Sequence, residues 1–308
     1  MSLKLIFMGT PQFAVPILKS INDSNHHVLC VYPQPPQKKN RGLKKKITPI
    51  HEYSNKKNLE IRHPKILDLN EIKYIKNLNP DVVVVVAYGK ILPAKLLNLD
   101  KIKFINVHAS LLPKFRGAAP IQRAIMGLEK ETGISIMKIE SKLDTGPILM
   151  KSKTEIDIGT NYEDLSNELS KIGSELILRS LDLIYRKADN YLPQEERNAT
   201  YAKKITKDEA KINWNIKAKN LIANINALNP NPGCWFNLKG SRIKITKAVE
   251  VKANAEPGIL INDKFTISCS ENAIQILELK KEGKNILKAS EFLKGNKLKV
   301  GLKLDNNV

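Results

Sequence analysis

The stretch Phe104-Ile105-Asn106-Val107-His108-Ala109-Ser110-Leu111-Leu112-Pro113 decides the fold. Residues 104–107 read as a short buried strand that ends in polar residues. Asn106 and His108 lie two apart, so on an extended backbone their side chains leave the same face. Asn106 brings an amide with two donors. His108 brings the side chain whose charge switches near neutral pH. Pro113 has no N–H to give to a ladder and stops the strand. Arg116-Gly117-Ala118-Ala119-Pro120 then turns the chain into a helical pattern over 121–126. In an open α/β sheet, a polar pair at the carboxyl end of a strand lies where ligands bind.

Toward the N-terminus, Asp81-Val82-Val83-Val84-Val85-Val86-Ala87 is a continuous β-branched run, as expected of a strand covered on both faces. Residues 3–8 and 27–32 read as further strands, joined by the turn Gly9-Thr10-Pro11 and a helical pattern over 14–21. Gly-x-Gly-x-x-Gly is absent, which argues against a dinucleotide site. Residues 48–56 and 69–78 have helical spacing. Between Pro33 and Lys46 lie six cations and no acid. The plain reading is a solvated surface loop, and the functional one a clamp for phosphates. Tyr88 to Pro93 follows the valine run as a loop at the sheet edge of Asn106 and His108.

Toward the C-terminus, residues 133–139 and 147–156 suggest two more strands, flanking Lys142-Leu143-Asp144-Thr145-Gly146. Thr160 and Glu163 form a candidate capping box for a helix reaching about 187. Residues 189–207 are polar and read as a linker. Beyond it, 218–227 is helical and Asn229-Pro230-Asn231-Pro232-Gly233 breaks it. Short strands over 242–246, 258–261, 265–268 and 273–279 suggest a small barrel of OB type. The expectation is an α/β protein with a mostly parallel, Rossmann-like sheet over 1–188 and an OB-like β-barrel over 208–308.

A length of 308 residues is itself long for one core, which favours two domains. The formal charge of +20 fits a polyanionic partner, but a Lys-, Asn- and Ile-rich chain also gains charge from biased codon usage. Residues 208–308 hold 17 basic and 10 acidic side chains and the first 207 the other 34 and 21, so the charge is spread along the chain. Only local clusters bear on nucleic acid. Cys30, Cys234 and Cys269 are odd in number and far apart, which suggests neither a disulfide framework nor a zinc knuckle. Reduced thiols in the cytoplasm are expected. The apolar run 5–8 is too short for a signal segment, and no run approaches a membrane span, so no membrane is expected.

Asp144-Thr145-Gly146 occurs once, whereas an aspartic protease needs two such carboxylates side by side. Asp144 alone could simply hold a turn, and a lone Asn-x-His is weak. The ordered set is far more specific: Asn106, His108, Ser110-Leu111-Leu112-Pro113, Arg116-Gly117-Ala118-Ala119-Pro120, then Leu143-Asp144-Thr145-Gly146. It resembles the formyltransferase family that uses 10-formyltetrahydrofolate. Phe7-Met8-Gly9-Thr10-Pro11, Ala87-Tyr88-Gly89-Lys90-Ile91-Leu92-Pro93, Tyr201-Ala202-Lys203-Lys204-Ile205 and Asn229-Pro230-Asn231-Pro232-Gly233 match as well.

The resemblance implies formyl transfer from that folate cosubstrate, without a metal, to the α-amine of charged initiator tRNA, methionyl-tRNA. It makes Asn106, His108 and Asp144 the catalytic trio. Asn106 and protonated His108 would steady a tetrahedral oxyanion, with Asp144 orienting the imidazolium. It puts folate against Ser110, Leu111, Leu112 and Pro113, with Tyr88, Gly89, Ile91 and Leu92 opposite. Leu112 or Ile91 would offer apolar surface to the pterin. It assigns the basic loop, with Arg41, Lys44, Lys45 and Lys46, to tRNA, and Lys204 and Lys207 as weaker phosphate contacts. A monomer is expected. Asn213 and Asn226 depart from the family's usual Asp and Arg. The other readings are formyl transfer to an amino-sugar nucleotide or other small amine, hydrolysis of the formyl group, and an RNA-binding protein on an inactive enzyme fold.

Overall fold

The apolar runs at the front of the chain become parallel strands in the computed structural model, which describes residues 2–38 and 45–304. Strands β1 (Lys4–Gly9), β2 (His27–Tyr32), β3 (Val82–Val86) and β4 (Lys103–His108) pair in parallel in the order β2-β1-β3-β4. Two antiparallel strands, β5 (Glu131–Lys138) and β6 (Ile148–Glu155), extend the sheet beyond β4. All five valines of β3 are buried, as a central strand covered on both faces requires. Each such side chain contributes roughly 1.5–3 kcal/mol by leaving water.

Helices accompany these strands along the chain: α1 (Ala14–Asn22), α2 (Pro49–Lys56), α3 (Leu69–Leu78), the single turn α4 (Ala94–Leu97), α5 (Pro120–Met126) and α6 (Tyr162–Tyr185). Ile72 and Ile75 of α3 join Ile6, Met8, Val83, Val85 and Phe104 in one core cluster. On α6, Gly173 lies against α1 and β4: a Cβ there would sit 3.1 Å from Ile17 Cδ1 and 3.3 Å from Val107 Cγ1. Ser170 Oγ donates to the Phe13 carbonyl at 2.7 Å. The cap of α6 is Asn161, not the expected Thr160. Asn161 Oδ1 accepts from the backbone N–H groups of Glu163 (2.8 Å) and Asp164 (3.0 Å), so it satisfies two orphan donors at once.

Contacts divide the chain into a unit of Met1–Pro120, Glu131–Glu155 and Ser166–Ala202 and a unit of Ile121–Lys130, Ile156–Leu165 and Lys203–Val308. The polar stretch read as a linker is packed up to Ala202. Leu192 exchanges backbone hydrogen bonds with Ile148, and Tyr201–Ala202 pairs in parallel with Arg116–Gly117.

The second unit holds α7 (Ala218–Leu228), β7 (Trp235–Leu238), β8 (Ser241–Val251), β9 (Thr266–Ser268), β10 (Ala273–Lys281), β11 (Ile286–Lys288) and α8 (Ala289–Gly295). Its sheet is antiparallel, β7-β8-β10-β9, with β11 on β10. Register slips around Lys247 bend the long β8 and curl the sheet. Trp214, Phe236, Phe265 and Phe292 form a chain of ring contacts through its core, with centroids 5.6–6.3 Å apart.

Residues 258–261 are not a strand. Gly258 has φ +86, and Ile259 and Leu260 make only single bridges, to Lys303 and Ile267. Sequence reading missed β7, β11 and α8. The residues of β11 are all exposed, so no alternation marks them.

Candidate functional site

The parallel strands bring their carboxyl ends side by side, Gly9 of β1 against Val86 of β3, and Val85 against Asn106 of β4. Asn106 is half-buried, and its carboxamide has no partner among the described residues. Two residues on, His108 is only 5% exposed. Its Nε2 lies 2.9 Å from the Phe115 carbonyl and its Nδ1 3.7 Å from Asp144 Oδ2. Both ring nitrogens thus face oxygen acceptors. Asp144 arrives from the turn between β5 and β6, and its Oδ2 accepts from the Gly117 N–H at 2.8 Å. The three residues grouped by sequence therefore lie at one sheet edge, with His108 and Asp144 face to face.

Phe115 (φ +58) and Asp144 (φ +54) both hold left-handed backbone, which costs a side-chain-bearing residue energy and needs support. Phe115 N–H donates to Thr200 Oγ1 at 2.8 Å. The Asp144 turn is held by Gln194, whose Nε2 donates to the carbonyls of Asp144 (2.9 Å) and Gly146 (2.7 Å). Gln194 Oε1 accepts from Arg116 Nε (3.0 Å) and Nη2 (2.9 Å). The same guanidinium donates to Glu196 at 2.8 and 3.0 Å. That bond holds the Glu196 carboxyl below its ordinary range and raises Arg116, whose side chain is wholly buried. Sequence reading quoted Arg116 only within a motif and gave no role to Arg116, Gln194 or Thr200. The last two lie in the polar stretch, where no periodicity separates a packed side chain from a solvated one.

The Ser110–Pro113 loop is tied from below. Ser110 Oγ donates to the Lys114 carbonyl (2.6 Å), while Ser135 Oγ donates to the Ser110 carbonyl (2.7 Å) and accepts from Leu112 N–H (3.1 Å). Lys151 Nζ donates to the Leu112 carbonyl at 2.6 Å. Leu112 is buried with Met137 and Ile148, so it supports the loop from behind. Leu111 and Pro113 are partly exposed. On the opposite loop Tyr88 is also buried, which pushes its phenol up to about 12, and Leu92 is buried, leaving Ile91 as the exposed apolar side chain. Gln34 Nε2 donates to the carbonyls of Tyr88 and Gly89, each at 3.0 Å.

Of the expected phosphate contacts, Lys46, Lys204 and Lys207 are exposed. Lys45 pairs with Lys38 through its backbone, and Arg41 and Lys44 lie outside the described residues. In the second unit the residues lining a cavity of about 380 Å³ include Arg242, Lys244 and Lys280, cations that sequence reading did not single out, and the acidic Glu282. The Arg242 guanidinium stacks 3.9 Å from the Trp235 ring centroid. Among the described residues no three His, Cys, Asp or Glu side chains converge as a metal site, and no helix is long and apolar enough to cross a membrane.

Comparison with known proteins covers both units. The profile of the formyl transferase family matches residues 3–181, and that of the formyl transferase C-terminal domain matches 204–297. A methionyl-tRNA formyltransferase of Pelagibacter ubique (strain HTCC1062) is 45% identical over 309 residues, 99% of this chain and 100% of the relative. One from Paramagnetospirillum magneticum (strain ATCC 700264 / AMB-1) is 40% identical over 301 residues, 97% and 99% of the two chains. Among solved structures, an N-formyltransferase from Helicobacter canadensis in complex with folinic acid and dTDP-3-aminofucose has the same fold. Its TM-score is 0.66 at 20% identity, over 89% of this chain and 99% of that one.

Proposed function

The chain belongs to the formyltransferase family, and on that premise we propose that it transfers the formyl group of 10-formyltetrahydrofolate to the α-amino group of methionyl initiator tRNA. The end-to-end match to methionyl-tRNA formyltransferases at 40–45% identity carries this reading, because it takes in the second domain as well as the catalytic one. The work is that of a monomer in the cytoplasm, with the folate as a cosubstrate.

In the proposed mechanism the neutral α-amine attacks the formyl carbon, and the carbonyl oxygen takes the negative charge of a tetrahedral adduct. The free carboxamide of Asn106 donates to that oxygen, in a site whose donors are fixed before the reaction. His108 is the proton carrier. Its Nε2 is engaged by Phe115, so the proton passes along the Nδ1 edge beside Asp144, from the attacking nitrogen towards N10 of the folate. The C–N10 bond then breaks, and tetrahydrofolate and the formylated aminoacyl-tRNA leave. Pterin binding falls to the Ser110–Pro113 loop, through its backbone and the exposed parts of Leu111 and Pro113, and to Gly89 and Ile91 opposite. Lys46, Lys204, Lys207 and the basic loop with Arg41 take the tRNA phosphates.

The test is mass spectrometry of tRNA incubated with the enzyme, with and without the formyl-folate donor. Donor-dependent N-formylmethionine on the tRNA is the expected product. Formylation of an amino-sugar nucleotide in preference to the charged tRNA, or formate release without acceptor, would overturn the reading.

A further inference from the structure

We infer that Gln194 is a positioning residue of the formyl-transfer centre: clamped by Arg116, its amide fixes the Asp144 turn so that the carboxylate faces His108. The inference rests on the proposed role of Asp144 and extends it to a residue of the polar stretch after α6.

The amide of Gln194 has only one orientation that satisfies its surroundings. Its oxygen meets two guanidinium N–H groups, which have no lone pair, and its nitrogen meets two carbonyls, which have no proton. A Glu here would keep the Arg116 contact but present carboxylate oxygen to the carbonyls of Asp144 and Gly146. An Asn would be one methylene too short. The clamp closes a ring: Gln194 is bonded to Arg116, Gly117 follows Arg116 in the chain and donates to Asp144 Oδ2, and the Asp144 carbonyl returns to Gln194. Asp144 is therefore gripped at its carboxylate by one side of the ring and at its backbone by the other.

The grip has a purpose that packing does not supply. Asp144 sits at φ +54 in a turn with exposed Lys142 and Leu143 on one side, and its carboxylate is already 3.7 Å from His108. A small rotation of the turn would open that distance further. On the other side the turn cannot drift, since a Cβ at Gly146 would come within 1.9 Å of the Lys138 carbonyl, so the backbones are in direct contact. Gln194 fixes the remaining freedom, and misplacement of a catalytic group by about 1 Å can cost 10²-fold in rate.

The experiment is a double-mutant cycle on the full chain, with methionyl-tRNA and 10-formyltetrahydrofolate as substrates. Gln194→Glu, Gln194→Ala, Asp144→Asn and the two combinations are compared by kcat, KM and thermal melting. Gln194→Glu and Gln194→Ala are expected to lower kcat by about 10- to 100-fold, with each KM within about threefold of wild type. In the Asp144→Asn background the same changes should lower kcat by less than about threefold, because sites that do not act through one another give additive losses. A full loss in both backgrounds, a change in KM instead of kcat, or an unaffected kcat in folded variants overturns the positioning role. Near-native kcat in Asp144→Asn itself is a separate result: it removes the catalytic role of Asp144, and the Gln194 role with it.

Discussion

At the scale of single residues, chemistry separates side chains that reach the reacting atoms from those that hold them. Among the described residues the Asn106 carboxamide has no partner, and His108 has each ring nitrogen facing an oxygen. Asn106→Ala removes one preorganised donor and should lower kcat by about 10²–10³-fold, with the melting temperature little changed. Single-turnover formylation, read by the labelled product, measures it. His108→Ala and Asp144→Asn should each lower turnover by orders of magnitude as well, and near-native activity in a folded His108→Ala protein would exclude that side chain from proton transfer. The trio came from the ordered set of motifs that resembles the family, since an Asn-x-His spacing by itself is weak and a lone Asp in a turn can simply hold that turn. Gln194 and Thr200 were not legible in the sequence, because their partners, the Arg116 side chain and backbone groups of Phe115, Asp144 and Gly146, lie far away in the chain, and sequence pattern encodes side-chain period rather than such distant pairings.

At the scale of elements, α3 shows how local signals and distant contacts combine. Asp68 begins the helix, its Oδ1 accepting from the Glu71 N–H at 2.9 Å. Asp68→Ala should cost about 1 kcal/mol in chemical denaturation. Glu71, in the helix's first turn, is 7% exposed and takes Arg62 Nε at 2.5 Å, Arg62 Nη2 at 2.8 Å and the Tyr32 hydroxyl at 2.7 Å. The Arg62 bonds hold its carboxyl below the ordinary value of 4.5. An unfolded chain binds that proton more readily, so the contribution is complete above about pH 4.5 and fades as pH falls through the folded value. Glu71→Gln should therefore lower stability near neutrality by about 2 kcal/mol, and the gap to wild type should narrow in acid. A gap constant from pH 7 to 3 would show that the ion pair adds nothing. The boundaries of α3 were legible from helical spacing alone, and in the structure the Asp68 cap and the left-handed Asn79 mark the same ends. The start of α6 was not, because Thr160 and Asn161 are both good caps and only the geometry decides between them. The 258–261 segment failed for a related reason: the apolar run Ile259-Leu260-Ile261 looked like a strand, but the Gly258 turn leaves it only isolated bridges.

At the scale of the whole molecule, the charge of +20 has two readings, and salt separates them. Codon bias scatters lysines without regard to a partner, so the excess would add only general attraction. A tRNA-binding surface instead neutralises particular phosphates and releases their counterions, so the apparent affinity falls linearly on a log–log plot against salt. The KM for methionyl-tRNA should rise steeply with potassium chloride, while the KM for the folate changes little. Arg41→Ala should raise the KM for the charged tRNA more than that for folate and lower the salt slope by about 1, the signature of one phosphate contact removed. Lys204→Ala and Lys207→Ala should act in the same direction and more weakly. Equal effects of Arg41→Ala on both substrates, or an unchanged slope, would return the loop from Pro33 to Lys46 to a solvated charge run. The comparison carries weight because both substrates are anionic and only one is a polymer: a general surface charge would act on both, whereas an array of phosphate contacts acts on the tRNA alone.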